Sequence, residues 1–438
     1  MKTPILLVGE IFIDVTINTD KTKMRLGGIV HAARGLWASE IDYCVAAIYP
    51  SYLDKEIRNY LKAHGCSAIH HIADVKNSPN VIFLYDEKET SHQGYENILR
   101  NQKEIEYNKD ITCLCNYDAV VIYPGDYSLA TIFNYIEKNT SISIDIAYGV
   151  KSLAQIPDKN FNLELLTIST SSELFLKLTS KNYENLAYEI KNKNVRFLLV
   201  KENRGGSVVY DFSSEMEINL PAYIDETVNS VGVGDVFTAV MAAKIMELGI
   251  DSAWRGLQAA TCYAKTTFVD DFKRNLNREY MISISELQSL LGVRVPWSKR
   301  KDIKIYLAAP DFTYIDTHLI EQAVSSFSYH NFDLIRPVKI NGELSKPANL
   351  NTLKETYDKD IHLLLDCDLV FAIPLSKDPG TLVEIGYALA INKPVIVYDP
   401  LNENDNTMVI GGANAYSNNL DIALNATFIT ISDKMRIL

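Results

Sequence analysis

The sequence predicts an α/β protein of two domains, each built on a largely parallel sheet. Three observations lead there. Apolar runs of strand length alternate with amphipathic stretches along the whole chain, the pattern of parallel sheets covered by helices. The chain has 438 residues, more than one ordinary domain holds. A fresh buried strand, IKIYLAAP, begins directly after VRVPWSKRKD, a polar joint with a proline and four basic residues. The break falls near Ser298–Asp302, which places the domains at 1–298 and 302–438.

The elements follow in order. PILLVGEIFIDV reads as a first strand, because it lacks the cleavage site of a leader and the length of a span. DYCVAAIYP, DAVVIYPG, SISIDIA, LLTIST and RFLLVKE continue that sheet, with LATIFNYIEKN and ELQSLLGV among the helical stretches. His70–Gly94, with its NSPNVIFLYDEKETSHQG, reads as the hairpin-like strands of a small β flap. KIYLAAP, DLVFAIP and KPVIVYD build the second sheet, and no fixed-period repeat is present.

Composition narrows the function classes. A net charge of −12 argues against nucleic acid or an anionic membrane as the main partner. No stretch approaches about 20 apolar residues, so a cytoplasmic location is expected. The six cysteines (Cys44, Cys66, Cys113, Cys115, Cys262, Cys367) match no metal knuckle and read as reduced, packed thiols. His70, His71, His318, His330 and His362 also lack ligand spacing, so no metal site is expected from either set. Trp297 reads as packing at the joint.

The most informative C-terminal stretch is DLVFAIPLSKDPGTLVEIGYALAINKPVIVYDP. A buried strand runs into a loop with Asp378, Pro379, Gly380 and Thr381, and a helix then carries Glu384. Ligands of open α/β sheets sit beyond the carboxyl ends of the strands. Glu384 is expected in the first helical turn, where the dipole favours an ionised carboxylate able to attack an anomeric carbon. The same carboxylates also suit a cap and a turn. DPGTLVEIGYA closely resembles the signature of the nucleoside 2-deoxyribosyltransferase family, and the resemblance spans about residues 302–420. It implies a flavodoxin-like parallel α/β domain in which Glu384 attacks C1′ of the sugar. KIYLAAPDF would then supply Tyr306 to steady the nucleophile, and YDKDIHLLLDCDLVFA would place Asp360 near the nucleobase. Asp378 and Gly380 would line the sugar loop. DNTMVIGG would bring Asn406 to the sugar hydroxyls of a neighbouring subunit, hence a homo-oligomer. The implied chemistry is a retaining double displacement without a cofactor, with Asp360 or Asp378 assisting departure of the base. Related hydrolases of deoxynucleoside 5′-phosphates carry serine where this chain has Asp378, whose charge favours an unphosphorylated sugar. One departure stands out: Ala308-Ala309-Pro310 where many relatives have glycine.

The N-terminal counterpart is ETVNSVGVGDVFTAVMAAKIMELG. Gly232 and Gly234, ahead of a helix starting at about Val236, form a backbone nest for phosphate oxygens, and Asp235 is placed to take a proton from an attacking hydroxyl. A tight turn with an aspartate cap has the same pattern. The stretch resembles the D-T-x-G-A-G-D signature of the ribokinase-like (PfkB) sugar and nucleoside kinases. LVGEIFIDV resembles their opening strand, with Asp14 at the sugar hydroxyls; LGGIVHAARGLWA retains the pair Gly27 and Gly28. FLLVKENRGGSVVYD, with Gly205 in its turn, resembles the strand–turn–strand flanking the ATP site. The resemblance implies a three-layer α/β/α domain with a β flap, using ATP and Mg²⁺. The departures are Asn229 and Ser230 in the signature, Ala32 after the glycine pair, and Thr170-Ser171-Ser172-Glu173, where only Glu173 of the N-x-x-E motif remains.

The expectation is a bifunctional enzyme acting on small nucleoside and sugar substrates: one domain cleaves or exchanges the N-glycosidic bond of 2′-deoxynucleosides, and the other phosphorylates a sugar or nucleoside. The alternative is a regulatory or defence-type effector that hydrolyses NAD or a related nucleotide, with the kinase-like domain as a non-catalytic sensor. A non-catalytic nucleoside-binding protein is a third reading, disfavoured by the joint presence of Tyr306, Asp360, Asp378, Glu384 and Asn406.

Overall fold

The computed structural model describes residues 4–17, 22–157, 161–179, 184–224, 227–344 and 348–437. They divide into two compact units: the chain through Lys88 with Gln93–Gly292, and Glu89–His92 with the chain from Val293 onward.

The first unit is built on ten strands. Their order is Met216–Leu220, Ser207–Asp211, Phe197–Lys201, Asn162–Ser169, Ser141–Asp145, Ala119–Tyr123, Ile5–Glu10, Tyr43–Tyr49, Cys66–Lys76 and Glu104–Tyr107. The inner neighbours pair in parallel; Ser207–Asp211, Met216–Leu220 and Glu104–Tyr107 join antiparallel at the edges. Ile5, Leu7, Val45, Ala47, Leu165 and Leu199 pack into one core with helices Ile29–Ala38, Asp54–Ala63, Val233–Leu248 and Ser252–Ala264. The alternate residues Leu6, Val8, Ala46, Ile122 and Leu198 point to the opposite face and are equally buried. Both faces are therefore covered, which is why these strands read as unbroken apolar runs.

The opening run is not one strand. Ile5–Glu10 stays in the main sheet, and the chain then turns so that Ile13–Thr16 enters a second sheet. The turn is held by Ile11 N–H on the Ile48 carbonyl (3.0 Å) and by Asn80 Nδ2 on the Ile11 carbonyl (2.7 Å). This flap has the order Lys23–Leu26, Ile13–Thr16, Val81–Leu84, Glu96–Asn97. His70 and His71 belong to the main sheet instead, in Cys66–Lys76.

The second unit has an all-parallel sheet in the order Leu334–Ile335, Ile305–Ala308, Leu369–Ala372, Val395–Tyr398, Ala415–Ser417. Numbered along the chain this is 2-1-3-4-5, the flavodoxin-like order, whose switch point lies between strands 1 and 3. The fold class anticipated for both halves is the one observed. Val293–Lys301 is folded into this unit: Arg294 N–H donates to Ser432 Oγ (2.9 Å), and Asn331 Nδ2 to the Trp297 carbonyl (2.9 Å). Arg300 is fully buried, its guanidinium 5.1 Å from the ring centres of both Trp297 and Phe428. It donates to the carbonyls of Val295 (3.0 Å) and His330 (3.2 Å). Among the described residues no helix is long and apolar enough to cross a membrane, and no three His, Cys, Asp or Glu side chains form a metal cluster.

Candidate active sites

In the second unit the side chains meet at the switch point. Tyr306, inside strand Ile305–Ala308, donates its hydroxyl to Glu384 Oε1 at 2.5 Å. Glu384 comes from helix Pro379–Ala390, which follows the neighbouring strand Leu369–Ala372. The helix begins at Asp378, whose Oδ2 accepts from Thr381 N–H (2.8 Å) and Oγ1 (3.0 Å), with Pro379 in the first helical position. Glu384 therefore lies in the second turn, not the first, and the dipole does not set its charge. Burial does: it pushes the carboxyl up to about 7, against the lowering hydrogen bond from Tyr306, while Asp360 and Asp378 add repulsion. Burial, and then the Glu384 charge, hold the Tyr306 phenol far above its ordinary value, so it remains a donor.

Asp360 sits on helix Leu350–Asp366 and accepts from Asn341 Nδ2 at 2.7 Å; burial raises its carboxyl despite that bond. At Gly380 a side chain's first carbon would stand 3.1 Å from Asp378 Oδ2, so the glycine leaves room for the capping carboxylate. Asn406 is exposed and spends its Oδ1 on capping its own short helix through Met408 N–H (2.8 Å), with no hydrogen bond to the Glu384 group. Its loop is anchored from within: buried Asp399 accepts from Asn404 N–H (2.8 Å) and the Tyr416 hydroxyl (2.5 Å). Sequence reasoning passed over Asp311 and Arg336, which follow strands 1 and 2. Asp311 is buried and bidentate with Arg336 (2.8 and 2.9 Å), and Arg336 also binds Glu321. That cation is already neutralised by carboxylates.

In the first unit a cavity of about 260 Å³ gathers Asp14, Gly28, Gly232 and Asp235. It also takes in His31 and Asp145, which sequence reasoning left aside. Asp14 is buried, and its Oδ2 lies 2.8 Å from His31 Nε2. His31 Nδ1 faces the Tyr263 hydroxyl (2.7 Å) and Arg34 Nη1 (3.1 Å). Burial lowers the imidazole to about 4, outweighing the Asp14 carboxylate, so it is neutral near pH 7. A neutral ring facing an arginine at Nδ1 donates from Nε2, which fixes Asp14 as acceptor.

Gly232 adopts φ +80°, and a methyl there would stand 2.2 Å from the His31 ring; Gly28, at φ +60°, would strike the Glu10 carbonyl at 2.2 Å. Only glycine suits either place. Gly27 abuts Asp14 in the same way, and Gly234 abuts Lys201 Nζ. Helix Val233–Leu248 starts directly after Gly232 and carries Asp235 in its first turn. Burial and then Asp145 push Asp235 up to about 8, with Lys201 opposing. Asp145 Oδ2 accepts from Lys201 Nζ (2.7 Å) and Thr238 Oγ1 (2.8 Å). Both Asp145 and Lys201 end buried strands, which was the available signal for them. His31 gave a weaker one, its place in the glycine segment.

Asn229 fills the aspartate position of the signature and closes the turn: its Oδ1 accepts from Val231 N–H (2.8 Å) and Arg25 Nη2 (2.9 Å). Glu173 is exposed at the start of helix Glu173–Thr179, and Gly205 closes the turn before Ser207–Asp211; neither lines the cavity.

Residues 305–420, within the C-terminal unit, match the family model described as nucleoside 2-deoxyribosyltransferase. An uncharacterized protein of Ureaplasma parvum serovar 3 is 31% identical over 103 residues, 22% of this chain and 65% of that protein. The chain thus spans just under two thirds of the relative's length. Ribokinases and a fructokinase are similar over about two thirds of the chain. Arabidopsis thaliana ribokinase complexed with ribose and ATP is 15% identical, with TM-score 0.48, over 65% of this chain and 100% of that one. Giardia lamblia ribokinase is 11% identical, with TM-score 0.47, over 64% and 99%. A fructokinase with bound ATP from Xylella fastidiosa is 11% identical, with TM-score 0.45, over 64% and 100%.

Proposed function

We propose that the C-terminal unit cleaves or exchanges the N-glycosidic bond of 2′-deoxynucleosides through a covalent deoxyribosyl–Glu384 intermediate. The observation that carries this is the Tyr306–Glu384 hydrogen bond at the switch point. Glu384 attacks C1′ as the base departs, and Asp360, whose carboxyl burial raises, delivers directly or through water the proton that the leaving nitrogen needs. An incoming base or water then attacks C1′, gives its proton to the aspartate that served the leaving base, and releases Glu384 as a carboxylate, with net retention. Charge favours an unphosphorylated sugar: Asp378 lies at the site, and Arg336 is committed to Asp311 and Glu321. Base exchange between two deoxynucleosides tests the assignment. Glu384→Ala should lower the rate by about a thousandfold or more; equal rates would remove Glu384 from the chemistry. Asn406 on an exposed loop supports a shared site in a homo-oligomer, which sedimentation can check.

The N-terminal unit phosphorylates a sugar or nucleoside in this reading, with ATP as donor. Asp14 accepts from the acceptor's hydroxyls, and Asp235 takes the proton of the attacking one. The Gly232–Gly234 amides and the Lys201 ammonium are donors suited to the phosphates. ATP's Mg²⁺ would screen their charge; Asp145, which lines the cavity, fits an ion that keeps most ligands as water and phosphate. One observation favours a second reading, a ligand sensor beside an NAD-hydrolysing domain: Glu173 does not line the cavity. Glu384-dependent loss of NAD without base exchange would select it.

A further inference from the structure

The mouth of the N-terminal cavity carries groups that phosphoryl transfer does not use. Tyr95, from the flap beside Glu96–Asn97, and Tyr148, from the turn after Ser141–Asp145, line it from separate segments. Their rings meet edge to face at 5.7 Å and 67°, and they remain 37% and 56% exposed. Asn97 lines the same cavity, and its Oδ1 is buried without a hydrogen-bond partner among the described residues. A buried acceptor left unpaired costs free energy, which a ligand N–H or O–H would recover. A free pentose has hydroxyls for Asp14 but no flat face to cover two tyrosine rings. A nucleobase has both a π-face and ring-edge donors.

We propose that the phosphoryl acceptor is a nucleoside, with its sugar toward Asp14, its base against Tyr95 and Tyr148, and a base N–H on Asn97 Oδ1. This rests on the reading of the cavity as the acceptor site. The two units then share one substrate class.

The test uses the full chain carrying Glu384→Ala, so that the base is not removed. Calorimetric titration with thymidine should lose one binding site per chain, or weaken it about tenfold or more, on adding Tyr148→Ala. Tyr148→Phe keeps the ring and should retain the site, and melting curves confirm that each variant is folded. With ATP and Mg²⁺, kcat/KM for thymidine or deoxyadenosine should exceed that for 2-deoxyribose by about tenfold or more, on the same stacking grounds, and the ratio should collapse in Tyr95→Ala and Asn97→Ala. Thymidine occupancy unchanged by Tyr148→Ala, or equal kcat/KM for 2-deoxyribose and the nucleosides, would overturn the proposal. A Tyr148-dependent thymidine site without phosphate transfer would keep the nucleoside subsite but overturn its reading as a phosphoryl acceptor, along with the kinase reading.

Discussion

At the scale of the residue, both proposed reactions turn on a carboxyl that burial has made less acidic. Glu384 is pushed up to about 7 and must be ionised to attack C1′. Thus kcat/KM for base exchange should have a limb that climbs with pH through about 7 as Glu384 ionises, and a falling limb where the acid that serves the leaving base loses its proton. Tyr306 lowers the Glu384 carboxyl by its hydrogen bond, so Tyr306→Phe should move the climbing limb to higher pH. A profile moved the other way would contradict the pair. Asp235, pushed up to about 8, predicts a phosphotransfer limb rising toward pH 8 in the free enzyme. Stability runs in the opposite sense. Raised from 4.5 to about 7 on folding, Glu384 contributes stability at low pH that is lost as pH rises through about 7. Glu384→Gln should accordingly raise the melting temperature at pH 8, by about 1–3 kcal/mol of stability, and change little at pH 4. No gain at pH 8 would mean the carboxylate is better solvated than its burial implies.

At the scale of the element, the turn from Gly232 to Gly234 is the most demanding piece of backbone. Gly232→Ala meets both a left-handed φ and the His31 ring, so it should cost the first unit about 2 kcal/mol or more. ATP turnover should fall with it; an unchanged melting curve would show that His31 can give way. Much of this element was legible, because glycine spacing before a helix speaks of backbone geometry directly. The helix carrying Glu384 was legible in kind but not in phase. Asp378-Pro379 is a cap followed by a first-turn proline, and reading it as such places Glu384 in the second turn. The opening apolar run shows the limit of periodicity: nothing in PILLVGEIFIDV marks the turn that sends Ile13–Thr16 into the flap, because Asn80 holds it from far along the chain. His31 was hidden for a similar reason, since Asp14 and Tyr263 reach it from 17 and 232 positions away. Burial, which sets every shifted carboxyl above, belongs to the folded chain and not to any window of sequence.

At the scale of the whole molecule, two units with separate cores predict separable chemistry. Asp235→Asn should abolish phosphotransfer and leave base exchange within about twofold, and Glu384→Ala should do the reverse. Parallel assays on one preparation decide it; loss of both activities in either variant would mean that the sites are coupled. The order of motifs made the two-part architecture legible, because each signature arrives with its neighbours in sequence. The partner proposed for the exposed loop bearing Asn406 would leave no such trace in a single chain.

The buried guanidinium of Arg300 has a practical consequence. A run such as Ser298-Lys299-Arg300-Lys301 looks like a tryptic target at an inter-domain joint. Its arginine is instead enclosed by Trp297 and Phe428, with both ends of the segment tied to the C-terminal core. A protease needs several residues in extended form, so cleavage after Arg300 must wait for that core to open. Nicking at this bond therefore reports on the integrity of the C-terminal unit, and ligands that occupy the Glu384 site should slow it.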